Sequence, residues 1–202
     1  MATFTRNGYG QVEPNQLSAQ KTGQIYASLP LSSDVTVLQN GEFMYYDAAN
    51  GTVNADATVG EPMLVFNEIK LYEPFWQTSY KDFALIRVGD NYVTSRLATA
   101  GYGDGATNTG ATIDPAHTEY GYRMDGIAPR LLKTNVGDLY TTNMVKTGVE
   151  YEVGDLLAPV KDTTSNTLVL EEAAGTTGML WQVVKVYTMP DGQPGLKLQR
   201  VQ

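Results

Sequence analysis

The C-terminal part of the chain carries the sequence that decides the fold: residues 179–187 read MLWQVVKVY, and residues 195–201 read GLKLQRV. The first run is apolar and β-branched. In the second, Leu196 and Leu198 share one face with Arg200, and the polar residues between them face the other way. This alternation is typical of a half-buried strand. Because Pro190-Asp191-Gly192 turns the chain between the runs, they predict two strands joined by a turn.

Working outward, strand-like runs recur along the body of the chain, at residues 35–38, 42–46, 62–72, 83–88, 92–97, 138–145, 149–153, 156–160 and 167–170. Helix candidates are short, at residues 74–82 and 171–174. The chain has 202 residues, of which 42% are hydrophobic and 10% aromatic, so it can build a core. We therefore expect an all-β, mainly antiparallel fold with a β-barrel or β-sandwich body.

Residues 1–33 differ from this body, because Gly and Pro interrupt every candidate element there. The apolar anchors in this stretch are Phe4, Tyr9, Leu17, Ile25, Tyr26 and Leu29. We expect an extended N-terminal arm over 1–33 that orders against another surface, and a β-rich body over 34–202. Removal of residues 1–30 is then expected to leave the body folded. Residues 99–121 are too rich in Gly for a regular element, which predicts a long loop inserted within the body.

Two kinds of tight turn stand out in the sequence. Asn40-Gly41 lies between two strand-like runs and predicts a hairpin, since a type I′ turn needs two residues with positive φ. A second Asn-Gly, at Asn50-Gly51, ends the following strand. Val-Gly-Asp occurs three times, at residues 88–90, 136–138 and 153–155. We interpret each copy as a tight turn that leads into a strand.

Charge and composition exclude several classes of function. The formal net charge is −8, whereas a general nucleic-acid binder needs a basic stripe for phosphate contacts. The chain has no Cys and one His, which excludes disulfide scaffolds, thiol nucleophiles and sites that need two imidazoles. No apolar run approaches the ~20 residues of a membrane span, and the N-terminus has no signal-like apolar run. We expect a soluble chain, made in a cytoplasm, that binds neither nucleic acid nor membrane.

Candidate catalytic and metal-binding residues do not form a recognised pattern. His117 lies in the Gly-rich loop without the partners of a nucleophile elbow or a zinc motif. Asp104, Asn108 and Asp114 lack the acidic spacing of a calcium loop. Glu150 and Glu152 would share one strand face, which an exposed face explains as well as a hydrolase pair. We therefore expect no enzymatic activity, no cofactor and no metal site.

The 13 tyrosines leave three interpretations open. Tyrosine fills β-sheet cores, it is enriched at protein interfaces where a surface is apolar at one end and wet at the other, and it forms sugar-binding platforms.

Several stretches together resemble structural proteins of tailed bacteriophages. They are MATFTRNGYG at residues 1–10, QLSAQKTG at 16–23, NGEFMYYD at 40–47, FNEIKLY at 66–72, YKDFA at 80–84 and KTNVGD at 133–138. The likeness is to small virion proteins encoded near the major capsid gene, of the head decoration or cement type. It covers most of the chain in scattered pieces, and none of these pieces is a catalytic signature.

The resemblance implies a β-rich oligomer on the outer capsid surface of a virion, made in the host bacterial cytoplasm. Its partners would be the major capsid protein and further copies of itself, and it would stabilise the head by bridging capsomers. The capsid-contact candidates lie in the N-terminal arm: Phe4, Arg6, Tyr9, Leu17, Ile25 and Tyr26. Alternatives are a tail or head-fibre component with a carbohydrate-binding or host-binding face, and a capsid subunit.

Overall fold

A computed structural model of the chain describes residues 3–6, 10–35, 37–56, 60–67, 85–87, 128–190 and 192–202, with only the backbone for 85–87. The predicted loop at 99–121, the helix candidate at 74–82 and the Val-Gly-Asp at 88–90 lie outside these ranges.

The described residues form one short helix and thirteen strands. They are α1 (Ser18–Thr22), β1 (Val12–Gln16), β2 (Ile25–Tyr26), β3 (Val37–Gln39), β4 (Phe43–Asp47), β5 (Thr52–Asn54), β6 (Met63–Val65), β7 (Leu85–Arg87), β8 (Leu131–Leu132), β9 (Leu139–Thr142), β10 (Leu156–Asp162), β11 (Thr167–Glu172), β12 (Trp181–Thr188) and β13 (Pro194–Arg200).

Most of these strands belong to one antiparallel sheet that curls into a half-barrel. Its strand order is β1-β9-β13-β12-β10-β11-β4-β6-β8-β2, with β5 paired to β4, and β3 pairs β7 separately. The fold is therefore all-β and barrel-like, as the composition predicted. The core contains large fully buried side chains, among them Trp181, Tyr140 and Phe43. Trp181 contacts the other two rings, at centroid distances of 4.9 Å to Tyr140 and 5.9 Å to Phe43.

The strand pair predicted at the C-terminus is confirmed. β12 and β13 pair from Trp181 opposite Arg200 to Thr188 opposite Pro194, with an irregularity between Val183 and Lys185. The alternation predicted for Leu196 and Leu198 also holds, since both are fully buried. Arg200 shares their face because its guanidinium is satisfied: it donates to both oxygens of Thr134, to the carbonyl of Gln202 and to Glu61.

The described parts of the segment expected to be an arm pack on the body of the same chain. β1 pairs with β9, and β2 pairs with β8. Leu17, immediately before α1, is 1% exposed. The Gly and Pro residues interrupt the elements without preventing short strands, because the neighbouring strands supply the hydrogen-bond partners. The surface against which this segment orders is the curled sheet itself.

One turn design occurs three times, at Gln39–Glu42, Asn135–Asp138 and Glu152–Asp155. The third residue is a Gly with φ of 94°, 95° and 105°, respectively, a left-handed conformation that favours Gly. The fourth residue is an acid whose carboxylate accepts the N–H of the first residue, at 2.8, 2.9 and 2.7 Å. The last two turns are the predicted Val-Gly-Asp turns, and they lead directly into β9 and β10.

Each of these turns is also bound to another segment by the same pair of backbone hydrogen bonds. Gly41, Gly137 and Gly154 donate their N–H groups to the carbonyls of Val65, Arg200 and Val183. The N–H groups of those three residues donate back to the residue after each Gly, at 2.8–2.9 Å. The turns therefore connect distant parts of the chain as well as reversing its direction.

The hairpin predicted at Asn40-Gly41 is wrong. A turn is present, but β3 pairs with β7, whereas β4 pairs with β5, β6 and β11. Among the described non-Gly residues only Asn166 has positive φ, so Asn40 does not take the type I′ conformation. Its side chain instead hydrogen-bonds the backbone of Asn67 in both directions, at 2.8 and 2.9 Å. The hairpin forms at the second Asn-Gly, where β4 turns into β5.

Two smaller expectations also fail. Glu171 and Glu172, placed in a short helix by the sequence, end strand β11, because residues 157–162 of β10 pair with its whole length. Residues 149–153 are not a strand, since they form the approach to the turn at Glu152–Asp155. Helix α1 lies in the segment expected to be extended, and no sequence pattern predicted it.

Candidate functional site

Two of the predicted contact residues, Phe4 and Leu17, are buried in the core of the same chain. Phe4 is 4% exposed, and its ring meets that of Tyr151 edge-on at a centroid distance of 5.7 Å. Its backbone bonds to Gly148 and Val149, at 3.0 and 2.8 Å. Leu17 belongs to the same buried core. These two side chains cannot reach a partner unless this part of the chain first detaches.

Arg6 lies between the surface and the interior. Its guanidinium donates to the carbonyl of Val145 at 3.5 Å, and partial burial lowers its pKa, although Glu42 and Asp162 act in the opposite direction. Tyr9 lies outside the described residues.

Ile25 and Tyr26 occupy the surface position that a contact residue needs. They form β2, the last strand in the sheet order, and both are half-buried. The ring of Tyr26 lies 5.0 Å from that of Tyr46 on β4, centroid to centroid. The hydroxyl groups of Tyr46 and Ser28 share a hydrogen bond of 2.5 Å. We call Tyr26, Ser28 and Tyr46 the tyrosine patch.

The β4–β5 hairpin holds the tyrosine patch in place. Asp47, the residue after Tyr46, accepts hydrogen bonds from the N–H groups of Ala49 and Asn50 and from the side-chain amides of Asn50 and Asn54. These hydrogen bonds lower the pKa of Asp47, and the bond from the Asn50 side chain has the largest effect. The carboxylate thus fixes the loop that follows the patch, and Tyr46 is presented from an ordered strand.

Glu42 is the described acid with the most unusual environment. It is 1% exposed, and burial raises its pKa to about 8, against the opposing effects of hydrogen bonds from Gln39 and Thr167 and of the Arg6 charge. A raised carboxyl pKa can mark a functional site. Here the carboxyl closes the turn at Gln39–Glu42, so its described contacts give it a structural role.

The other candidate carboxylates are separate from one another. Glu150 and Glu152 are exposed beside buried Tyr151, and Glu171 pairs with Lys146 at 2.5 Å. Within the described ranges, no three His, Asp or Glu side chains are close enough to hold a metal ion. His117, Asp104, Asn108 and Asp114 lie outside those ranges.

None of the described helices has the length and apolar character to cross a membrane.

Tyr26 was predicted as a contact residue from the sequence, whereas its partners Tyr46 and Ser28 were not. The chain that follows β2 reaches the β4–β5 hairpin through backbone hydrogen bonds of Pro30 and Ser32 with Val53, the residue paired with Tyr46, and this brings Tyr26 and Ser28 to Tyr46. The doublet Tyr45-Tyr46 could have indicated a further contact residue. Successive strand residues face opposite sides of a sheet, so one of the two rings must face away from the core or towards a neighbouring element.

Comparison of the chain with protein-family models, with curated proteins and with solved structures gives no match.

Proposed function

We propose that this chain is a non-enzymatic decoration or cement protein of a tailed-bacteriophage capsid. It binds the outer head surface, bridges neighbouring capsomers and stabilises the shell. Two features support the proposal: the virion-like stretches of the sequence, and the all-β, barrel-like fold of the described residues. Stabilisation would follow from mass action, because a ligand that binds only the assembled shell favours that state.

The observation that carries the proposal is the tyrosine patch at the β2 end of the sheet. Tyr26 and Tyr46 are half-buried, and they combine apolar ring surface with hydroxyl groups. Side chains of this kind are enriched in binding hot spots, since they bury a large area with little loss of conformational freedom. Ile25, adjacent on β2, adds aliphatic surface to the same edge.

The charge of the chain is compatible with this location. A net charge of −8 keeps the protein soluble before assembly and gives it no affinity for packaged DNA. The negative charge supports an outward-facing position on the shell, away from the packaged DNA.

The test uses capsids that lack the protein. Purified protein should co-sediment with them and raise the temperature at which they release DNA. Tyr26→Ala and Tyr46→Ala should each weaken binding roughly tenfold, as expected for a contact residue. Tyr45→Ala is the matched control, since it lies on the same strand and faces the opposite side of the sheet.

Thermal melting of each free variant separates lost contacts from lost folding. Failure of the folded wild-type protein to bind such shells contradicts the proposal.

A tail or head-fibre component with a sugar-binding face is the second candidate. The two rings of the tyrosine patch are inclined at 53° and lie beside the Ser28 hydroxyl, an arrangement that also fits a sugar. Calorimetric titration with host cell-wall glycan distinguishes the two. Glycan binding that Tyr46→Ala abolishes, with no capsid binding, favours this alternative.

A further inference from the structure

Over its second half, β12 has one edge that pairs with no strand of the described ranges, and we call it the free edge. On the side of β10, only Trp181 and Gln182 are paired, with Leu157 and Leu156. The backbone of Val183 hydrogen-bonds to Gly154 and Asp155 in the turn at Glu152–Asp155, which precedes β10. Within the described ranges, residues 184–188 pair with β13 alone. Alternate residues of this stretch therefore direct their backbone N–H and C=O groups towards an edge that is unpaired within the described ranges.

The composition of this edge is that of a strand ready to pair. Residues 184–188 are Val, Lys, Val, Tyr and Thr, with no Pro, Gly or acid among them. Val184 and Val186 are 40% and 43% exposed. Strand β1, at the end of the sheet, contains Pro14 as well as a register shift between Glu13 and Gln16, whereas β12 has a register shift between Val183 and Lys185 but no Pro along its free edge.

Two lysines lie directly opposite each other beside this edge, Lys185 on β12 and Lys197 on β13. Neither forms an ion pair with a described residue; Lys185 Nζ lies 6.0 Å from the ring centre of Tyr187. Like charges directly opposite on adjacent strands are destabilising. The same row of the sheet continues through Thr141 to Glu13 on β1, which accepts a hydrogen bond from the Tyr187 hydroxyl, so the row carries two positive charges and one negative charge on a chain of net charge −8.

We propose that residues 184–188 of β12 bind an extended acidic segment of another protein, which adds to the sheet as a further strand. The backbone of the segment would pair with the free edge, and its carboxylates would neutralise Lys185 and Lys197. Its apolar residues would cover Val186, which lies on the opposite face of β12 from Lys185. The fitting sequence alternates acidic and aliphatic residues. This inference is independent of the capsid proposal.

A second copy of the chain fits this edge less well. Residues 181–190 contain no carboxylate, so two copies paired edge to edge would add the lysines of the second copy to those of the first without a carboxylate from the paired strands themselves. The charge of the edge therefore favours an acidic partner of different sequence.

The probe is a fluorescent peptide that alternates Glu and Val, titrated with the full chain and followed by anisotropy. We expect saturable binding that weakens as salt rises. Lys185→Glu should weaken it at least tenfold. The control is Lys21→Glu, which makes the same charge change at an exposed position of α1 and should alter the peptide affinity less than twofold. Equal weakening by both variants, or no binding by the wild type, overturns the proposal.

The backbone contribution is tested on the peptide, so that no variant needs to fold. N-methylation of alternate residues blocks hydrogen bonding along one side of the strand, and methylation of the other residues blocks the opposite side. One of these two peptides should lose binding and the other keep it. If both methylated peptides bind with equal affinity, or if polyglutamate binds as tightly as the Glu-Val peptide, the attraction is between charges alone and strand addition is overturned. Sedimentation velocity tests for a dimer. If the wild-type chain dimerises and Lys185→Glu strengthens the dimer, a second copy of the chain occupies the edge and the proposal is overturned.

Discussion

Asp138 accepts two hydrogen bonds from Ser18, one from its backbone N–H at 3.0 Å and one from its hydroxyl at 2.9 Å. The two residues are 120 positions apart. The same carboxylate closes its own turn through the N–H of Asn135, and the Asn135 amide donates to the Ser18 hydroxyl at 2.6 Å. One buried acid thus connects the start of α1 to the turn that leads into β9.

Replacement of this acid should be costly. Asp138→Ala leaves three donors without their acceptor, and we expect the free energy of unfolding to fall by about 2–3 kcal/mol. Asp155→Ala is the matched control, because it closes the same kind of turn without a contact to α1. Its cost should be nearer ~1 kcal/mol. Equal losses for the two variants in denaturant unfolding would show that the Ser18 contact contributes nothing.

Glu42 should make the stability depend on pH. Its pKa is about 8 in the folded protein and near the ordinary value of 4.5 when the chain is unfolded, so the folded state binds more protons between these two pH values. The free energy of unfolding should therefore decrease as the pH rises from 4.5 to 8, at up to ~1.4 kcal/mol per unit from this group. Burial and the Asp162 charge raise the pKa of Glu42. The hydrogen bonds from the Gln39 N–H and the Thr167 hydroxyl and the charge of Arg6 lower it.

Glu42→Gln isolates this contribution, since it keeps the shape of the side chain and removes the titration. The difference in unfolding free energy between wild type and variant should change with pH across that window. A difference that stays constant from pH 5 to pH 8 would contradict the raised pKa.

Leu17→Ala tests whether the N-terminal segment stabilises the sheet. Leu17 is 1% exposed, and truncation of a fully buried Leu costs about 2–5 kcal/mol. Leu29→Ala, in the same segment at a half-buried position, should cost less. Because the sequence predicted a removable arm, the deletion of residues 1–30 extends the test. We expect a marked fall in melting temperature, and an unchanged temperature would support the arm.

The repeated turns predict unequal costs for one substitution. Gly154→Ala meets nothing within 4 Å, so its cost is backbone strain alone, about 1 kcal/mol. At Gly41 an added Cβ would lie 2.6 Å from Met144 Cβ and 2.8 Å from Thr142 Oγ1. Gly41→Ala should therefore be the more destabilising variant by several-fold. Chemical denaturation of both variants measures this, and similar midpoints would disprove the close packing at Gly41.

Local patterns explain how much of this fold was predictable. Alternation and β-branched content identified β12 and β13, and the Val-Gly-Asp turns before β9 and β10 followed from Gly and acid chemistry within four residues. Asn40-Gly41 misled because the choice of partner strand is non-local: Asn40 bonds to Asn67, and β4 finds β6 and β11. Tyr26 was a predicted contact residue, but its contact with Tyr46 depends on the backbone hydrogen bonds that join the chain after β2 to the β4–β5 hairpin.

The amino-acid sequence by itself determined the all-β class, the positions of the strongest strands and the tight turns, since each depends on side-chain alternation or on Gly conformations over a few residues. Only the tertiary structure decided which strands pair and which side chains become buried. It placed Phe4 and Leu17 in the core, isolated Glu42 from water, and left one edge of β12, beside Lys185 and Lys197, without a partner strand among the described residues. These features depend on contacts between residues far apart in the chain, and such contacts are fixed by the packing of the whole sheet.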